Sequence, residues 1–350
     1  MRQYVIAVSE KQADCSAARG KSMTFQNHSK NLRGILLLTL TALIWGVAFV
    51  AQNDGAAYIS AYTFIFLRFM IGGTVLLPLI FFRSRKANKN AAAQTDRKEQ
   101  KASFRLLLIG GIVCGAALFA ASTLQQLGFA DPGTTSGKAA FITALYILFV
   151  PVFGLFLRKK VPFAVWAGVL LAGCGMYLLC LFDSFTLSPG DLFELLCAVC
   201  FSIQILAVDY FAPRVDCLKL SCIQFYTAGL LGGIVVLFTG MSGWEDILKG
   251  LGALLYVGIM SSGVAYTLQV IGQKYCDPAI APLVMSLESV FAALAGWALR
   301  GEAMKLHELT GCALIFAAIL LTQLPWDRIR QKLFLKNRKR KMDAADTVRK

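Results

Sequence analysis

Few side chains in this sequence can do chemistry, and those few sit inside long apolar stretches. Glu288, in the run Val284-Met285-Ser286-Leu287-Glu288-Ser289-Val290-Phe291, is the deepest acidic group, about ten residues into its stretch. A carboxyl at that depth is costly unless it is paired, hydrogen-bonded or protonated. It is either a structural group, a site for a cation or amine, or a carboxyl that takes up and releases a coupling proton. Arg68 poses the same problem with the opposite sign, about seven residues into another stretch. Its alternatives are a snorkelling or capping role, an anchor for a substrate carboxylate, or a pairing with Glu194, which lies at similar depth in a third. Gln125, Gln269 and Gln204 place amides where hydrocarbon would leave them unsatisfied, so each lines a cavity or ties helix to helix. Tyr146, Tyr266, Trp45 and Trp297 complete the set, the two tryptophans reading equally well as packing or interface residues.

These groups suit binding better than catalysis. The two histidines, His28 and His307, stand apart, and no Ser/His pair, metal cluster or phosphate loop accompanies them. No catalytic residue, metal or cofactor is expected, and the chain does not read as an enzyme. Cys197 and Cys200 are one helical turn apart but lack a second pair, so the ten scattered cysteines read as small apolar residues.

The stretches that carry these residues are long enough to cross a bilayer. The chain of 350 residues is 57% apolar and 16% charged, with a mean hydropathy of +0.62. A soluble domain carries about 25% charged residues. Runs of roughly 20 apolar residues fall near 33–52, 62–82, 104–128, 136–157, 161–182, 189–211, 218–240, 248–273, 279–299 and 306–324. The expected fold class is therefore an all-α integral membrane protein with ten transmembrane helices. The small-residue spacings Gly111–Gly115, Gly229–Gly233 and Ala292–Gly296 let helix axes approach closely.

Charge sets the topology. The net +15 comes from residues 1–33, 83–105 and 326–350, not from a face interleaved with aromatics, so no nucleic-acid partner is expected. Such clusters are attracted to anionic lipid headgroups. With both termini cytoplasmic, 30 of the 35 Lys and Arg fall on the cytoplasmic side and four outside. That asymmetry predicts an even number of spans in a multi-pass plasma-membrane protein. Residues 1–31 form a cytoplasmic tail without a signal peptide, Met23 offering a second start, and 325–350 form a basic cytoplasmic tail.

The sequence also repeats itself. Thr123-Leu124-Gln125-x-x-Gly128 recurs as Thr267-Leu268-Gln269-x-x-Gly272, 144 residues later. Gly72-Gly73 recurs as Gly232-Gly233 after 160 residues, and Gly154 with Arg158 as Gly296 with Arg300 after 142. Residues 32–182 and 187–324 thus form two five-helix repeats, inverted because five is odd. Inverted repeats frame an alternating-access site near the midplane. A cavity there should draw on spans one, two, three, four, six, eight and nine, where polar residues concentrate. The 142-residue offset sets Tyr146 against Glu288, and an aromatic hydroxyl opposite a carboxylate suits a small zwitterion or amine.

Over residues 32–324 the chain resembles the EamA-like family of the drug/metabolite transporter superfamily. The resemblance rests on Ala42-Leu43-Ile44-Trp45-Gly46-Val47-Ala48-Phe49-Val50, on Phe66-Leu67-Arg68-Phe69, and on Ser286-Leu287-Glu288-Ser289-Val290-Phe291-Ala292 followed by Gly301-Glu302 and Gly311. Where the family's usual form has proline, this chain has Ser289. The resemblance implies a ten-helix basket that moves a small organic metabolite across the inner membrane. The expected function is a secondary transporter of amino acids or similar compounds, its export direction resting on the resemblance and protons, through Glu288, being the candidate coupling ion. A lipid-linked or nucleotide-sugar carrier of the same superfamily, or a membrane-embedded transferase, is the alternative. The sequence also leaves room for a homodimer.

Overall fold

The computed structural model describes residues 31–90, 97–134, 136–158, 161–180, 188–276, 278, 280–300 and 305–324, and every regular element among them is helical. Both terminal tails, beyond Asn31, and the middle of the basic linker lie outside the described residues. The first three spans are α1 (Asn31–Ala56), α2 (Ala61–Asn90) and α3 (Arg97–Phe129). The fourth is made of α4 (Ser136–Thr143) and α5 (Tyr146–Phe156), and the fifth is α6 (Phe163–Cys180). Then come α7 (Pro189–Phe211), α8 (Cys217–Thr239) and a short α9 (Trp244–Lys249). The eighth span is α10 (Leu251–Leu255), a π-helical stretch (Tyr256–Tyr266) and α11 (Thr267–Tyr275). The ninth joins α12 (Ala281–Met285) to α13 (Leu287–Arg300), and α14 (Leu306–Gln323) is the tenth.

Eight of these spans are long and apolar enough to cross a membrane, and α6 and α14 supply shorter apolar helices, Phe163–Leu178 and Leu309–Thr322. Side chains such as Phe163, Leu170, Leu237 and Phe238 point outward from the bundle. That surface belongs in lipid, where only structures with internally satisfied backbones survive. Helices α2 and α3 run past the ends of their apolar stretches into the linker because Lys, Arg, Ala and Gln are good helix formers. At α7, Ser188 and Asp191 form a capping box with Pro189 behind the cap, and Asp216 caps α8 by accepting from the Lys219 N–H at 3.1 Å.

Three spans are not the uninterrupted helices that apolarity alone suggests. The fourth breaks at Ala144–Leu145 and the ninth at Ser286, positions 142 residues apart. Neither break contains proline or glycine. Both tighten to three-residue turns, closed by Ile147 N–H to Ala144 C=O (3.0 Å) and by Ser289 N–H to Ser286 C=O (3.2 Å). At the second, the Ser286 hydroxyl also donates to the Leu283 carbonyl at 2.8 Å, competing with the helical ladder. The third irregularity is the π-helical stretch of span eight.

The inverted repeat is visible in the closest approaches. A Cβ on Gly34 of α1 would lie 2.9 Å from the Gly272 carbonyl oxygen, and one on Gly190 of α7 would lie 2.7 Å from the Gly128 carbonyl oxygen. Each pair joins the first helix of one repeat to the third of the other. Likewise Gly73 of α2 faces the Tyr226 ring and Gly233 of α8 faces the Phe66 ring, each at 3.1 Å. Phe66 and Tyr226 are themselves 160 residues apart, as the two glycines are. Only hydrogen at these glycines lets the axes come so close. Helices α6 and α14 pack on each other away from this centre, Gly175 against the Gly311 carbonyl.

Candidate functional site

Between the spans lies a cavity of about 20 Å³ lined by Trp45, Ala48, Phe49, Gln52, Arg68, Gln125, Thr143, Tyr146, Phe201, Ile205, Ser261, Tyr266, Gln269 and Glu288. These residues come from spans one, two, three, four, six, eight and nine. Seven of the ten candidates read from the sequence share its wall: Glu288, Arg68, Tyr146, Tyr266, Gln125, Gln269 and Trp45. Gln204 and Glu194 stand one layer behind. Trp297 is half exposed on the lipid-facing surface.

Arg68 is buried, and its guanidinium is held by neutral groups. Nη1 donates to Gln52 Oε1 at 2.6 Å, Nε to the Ser262 hydroxyl at 3.2 Å and Nη2 to the Ser261 hydroxyl at 3.3 Å. Its charge also lies 4.9 Å from the centre of the Phe69 ring. The pairing with Glu194 considered from sequence is not made. Glu194 is held instead by Thr143, whose hydroxyl donates to Oε2 at 2.7 Å. The cause is the fold: α2 turns Arg68 toward the π-helical stretch, and α7 turns Glu194 toward α3 and α4. Among the described residues Arg68 therefore keeps an uncompensated positive charge facing the cavity.

Glu288 follows the break in span nine by two residues, as Tyr146 follows Ala144 in span four. The Tyr146 side chain lies beside the Glu288 carboxyl. Among the described residues, neither the Tyr146 hydroxyl nor Glu288 Oε1 has a hydrogen-bond partner of good geometry, and the same holds for Trp45 Nε1 and Gln269 Oε1. Buried polar atoms are normally satisfied, so four such atoms around one cavity are groups a ligand would engage. Trp45, Phe69, Phe201 and Phe225 cluster round the Tyr266 ring, with centroids 4.7 to 6.5 Å from it. Trp45, Phe201 and Tyr266 make one wall of the cavity aromatic, with Phe69 and Phe225 packed against Tyr266.

The glutamines connect the wall to the layer behind. Gln125 Nε2 donates to the Thr143 hydroxyl at 3.3 Å, and Gln269 Nε2 to Gln204 Oε1 at 3.1 Å. Gln126 and Gln273 clamp backbone carbonyls of Gln52 and Ile205, at 3.2 and 3.0 Å. Among the described residues no group of three or more His, Cys, Asp and Glu could hold a metal ion.

Two segments of the chain, residues 32–181 and 188–324, each match the model of the EamA-like transporter family. The chain belongs to the EamA-like transporter family. It is 28% identical over 296 residues to a protein of Archaeoglobus fulgidus described as an uncharacterized transporter, the match covering 84% of this chain and 87% of that one. A solved crystal structure shares the fold with a TM-score of 0.66 at 20% identity, over 86% of this chain and 99% of the other. In this EamA-like transporter the first matched segment supplies Arg68 and Tyr146, and the second supplies Glu288 and Ser261. The family implies a small-molecule substrate, and both halves contribute to the cavity wall.

Sequence reasoning missed Gln52, Ser261, Ser262 and Thr143 as members of the site. Ser261-Ser262 between Gly258 and Gly263 carried a signal, four small residues placed to admit a bulky polar neighbour.

Proposed function

We propose that this EamA-like transporter exports a small zwitterionic metabolite, an amino acid or close analogue, across the plasma membrane by alternating access. The observation that carries the reading is a guanidinium and a carboxyl on one cavity wall, Arg68 from span two and Glu288 from span nine. Arg68 has no carboxylate partner among the described residues, so a substrate carboxylate can bind its guanidinium with charge-assisted hydrogen bonds. Glu288, with the Tyr146 hydroxyl beside it, suits an ammonium group. The aromatic wall around Tyr266 takes an apolar side chain. The 20 Å³ cavity has room for a water or two, so it fits a closed state that widens when one end of the bundle opens. Export, and both termini on the cytoplasmic side, rest on the family resemblance and on the Lys and Arg asymmetry.

The reading is tested by metabolite profiling of the medium from deletion and overexpression strains, with Arg68→Ala and Glu288→Gln in parallel. An amino-acid-like compound that accumulates outside with the wild type, and with neither variant, supports it. Accumulation of a nucleotide sugar or a lipid-linked compound instead would replace it with the carrier alternative.

A further inference from the structure

We propose that Glu194 is a proton-binding site, separate from the cavity carboxyl of Glu288 and reached from the cavity through Thr143. The proposal rests on the transport reading above and deepens it by naming the proton as the counter-ion.

Glu194 is fully buried on α7, behind the cavity wall. Oε2 accepts from the Thr143 hydroxyl, and that hydroxyl in turn accepts from Gln125. Oε1 has no hydrogen-bond partner among the described residues. Nor does any cation among them compensate a carboxylate here. On its own helix Glu194 faces Asp191 and Cys197, and from α13 it faces Glu288. Lys138 of α4 is engaged with Asp191 at 2.5 Å, Gly128 of α3 lies against the carboxyl, and Arg68 is held elsewhere by Gln52, Ser261 and Ser262. An ionised carboxyl in that setting is uncompensated, whereas a protonated one is neutral and can donate from Oε1.

The second repeat is an internal control for what packing needs at this place. Gly190 lies 156 residues after Gly34, and Glu194 lies 156 after Leu38. A Cβ on Gly128 would meet Glu194, 2.7 Å from Oε1, and a Cβ on Gly272 would meet Leu38, 2.9 Å from Cγ. Both side chains fill the same niche, over the last glycine of the repeated Thr-Leu-Gln-x-x-Gly. Thr143 has Met285 as its counterpart, 142 residues on, and Met285 and Leu38 are both fully buried. One repeat fills this niche with the apolar Leu38 and has the apolar Met285 in place of the hydroxyl, whereas the other has a hydroxyl and a carboxyl. Packing is met by leucine, so the carboxyl at 194 serves another purpose. On loading, the carboxylate gains a proton and becomes the neutral acid. On release, the proton passes to water that enters when the bundle opens.

Infrared spectroscopy of the purified full chain in phosphatidylcholine vesicles tests this without any substrate, because the C=O stretch of a protonated carboxyl stands apart from carboxylate and amide bands. The wild type should show that band at neutral pH and lose it reversibly as pH rises. Glu194→Leu, which copies the Leu38 side chain of the other repeat, should remove one carboxyl's worth of it. Glu288→Gln should leave the Glu194 component, and Thr143→Val should shift its frequency. Should the leucine variant fail to fold, Glu194→Asp keeps a carboxyl in a changed position and must move the band. An unchanged band in either variant overturns the proposal. So does a band that persists at every pH at which the protein is folded, which would make Glu194 a fixed hydrogen-bond donor.

A second measurement follows a radiolabelled mixture of the proteinogenic L-amino acids in proteoliposomes. Glu194→Leu should keep exchange across the membrane and lose accumulation driven by a pH gradient. Accumulation equal to the wild type overturns the proposal. If the wild type moves none of the mixture, the amino-acid reading falls, and the infrared titration still decides the proton site.

Discussion

At equivalent positions the two repeats keep their glycines and exchange their charges for hydrocarbon. Gly34 on Gly272 matches Gly190 on Gly128, and Gly73 on Tyr226 matches Gly233 on Phe66. Gln125 and Gln269 are shared too. Arg68, by contrast, has Ala228 as its counterpart, and the groups that hold it, Gln52, Ser261 and Ser262, have Val208, Ala117 and Leu118. Glu288 answers to Tyr146. Span three is a continuous α-helix where span eight, at the place that receives Arg68, is π-helical. The difference separates two jobs. Duplicated small residues set how closely the helices approach, and residues present once give the cavity a polarity, which on the proposed function would orient its substrate.

The largest effect should come from breaking the shared part. A side chain at Gly190 would sit 2.7 Å from a backbone carbonyl that cannot swing away. Overpacking of this kind typically costs about 1–3 kcal/mol and more where nothing yields. Gly190→Val and its mirror Gly34→Val should both abolish monodisperse protein on size-exclusion chromatography. If only one does, the two approaches are not equivalent.

Next comes the ion pair Lys138–Asp191, buried at the end of the bundle that carries residues 130–134. Its counterparts by the same offsets are Ile280 and Ile35. Removing one partner of a buried pair costs about 3–5 kcal/mol, whereas replacing both by packed apolar residues is often neutral. Asp191→Ala should therefore lower the thermal midpoint strongly, and Lys138→Ile with Asp191→Ile should recover most of the loss. A double variant as unstable as the single one would show that the pair does more than close the bundle.

A smaller, functional effect should follow from Arg68→Ala. Hydrogen bonds to charged groups contribute about 1.5–3 kcal/mol. The KM for a carboxylate-bearing substrate should rise roughly 10- to 100-fold, while a substrate amine lacking the carboxylate should be transported as by the wild type. Equal losses for both would deny Arg68 a role in orientation.

The smallest effect concerns Asp131, outside the spans. Backbone N–H groups of Gly133 and Gly190, at 3.0 and 2.6 Å, hold its carboxyl below the usual carboxylate range. A lowered value means that the folded state favours the anion. Its contribution is then present above the unfolded value of about 3.9 and is lost as pH falls through the folded one. Asp131→Asn should lower the thermal midpoint slightly at neutral pH, and the gap to the wild type should close under acid conditions. A gap that persists in acid would point to geometry, not charge.

Much of this was readable in the chain because bilayers impose continuous apolarity, and because the Thr-Leu-Gln-x-x-Gly copies fix the register between halves. The spacing that set Tyr146 against Glu288 rests on that register. What could not be read depended on rotation about helix axes. Arg68 and Glu194 lie at similar depth, but depth does not say which neighbour each faces, and they face different ones. Ser261, Ser262 and Thr143 were hidden because a hydroxyl in a span satisfies itself on its own helix as readily as on a partner. The breaks at Ala144–Leu145 and Ser286 carry no proline or glycine. They follow from tertiary packing and local hydrogen bonds that composition does not announce.

The closures at the two ends have a thermodynamic consequence. Were the repeats identical, the two open states of the proposed alternating-access cycle would be mirror images of equal energy, and the empty protein would divide itself evenly between them. Here one end is fastened by Lys138 and Asp191, and the other has Ile35 and Ile280 in the same places. Salt acts little on the buried pair itself but stabilises the two charges once that end opens to water, while apolar contacts weaken on cooling. The resting balance between the two orientations should therefore tilt in opposite directions with added salt and with falling temperature.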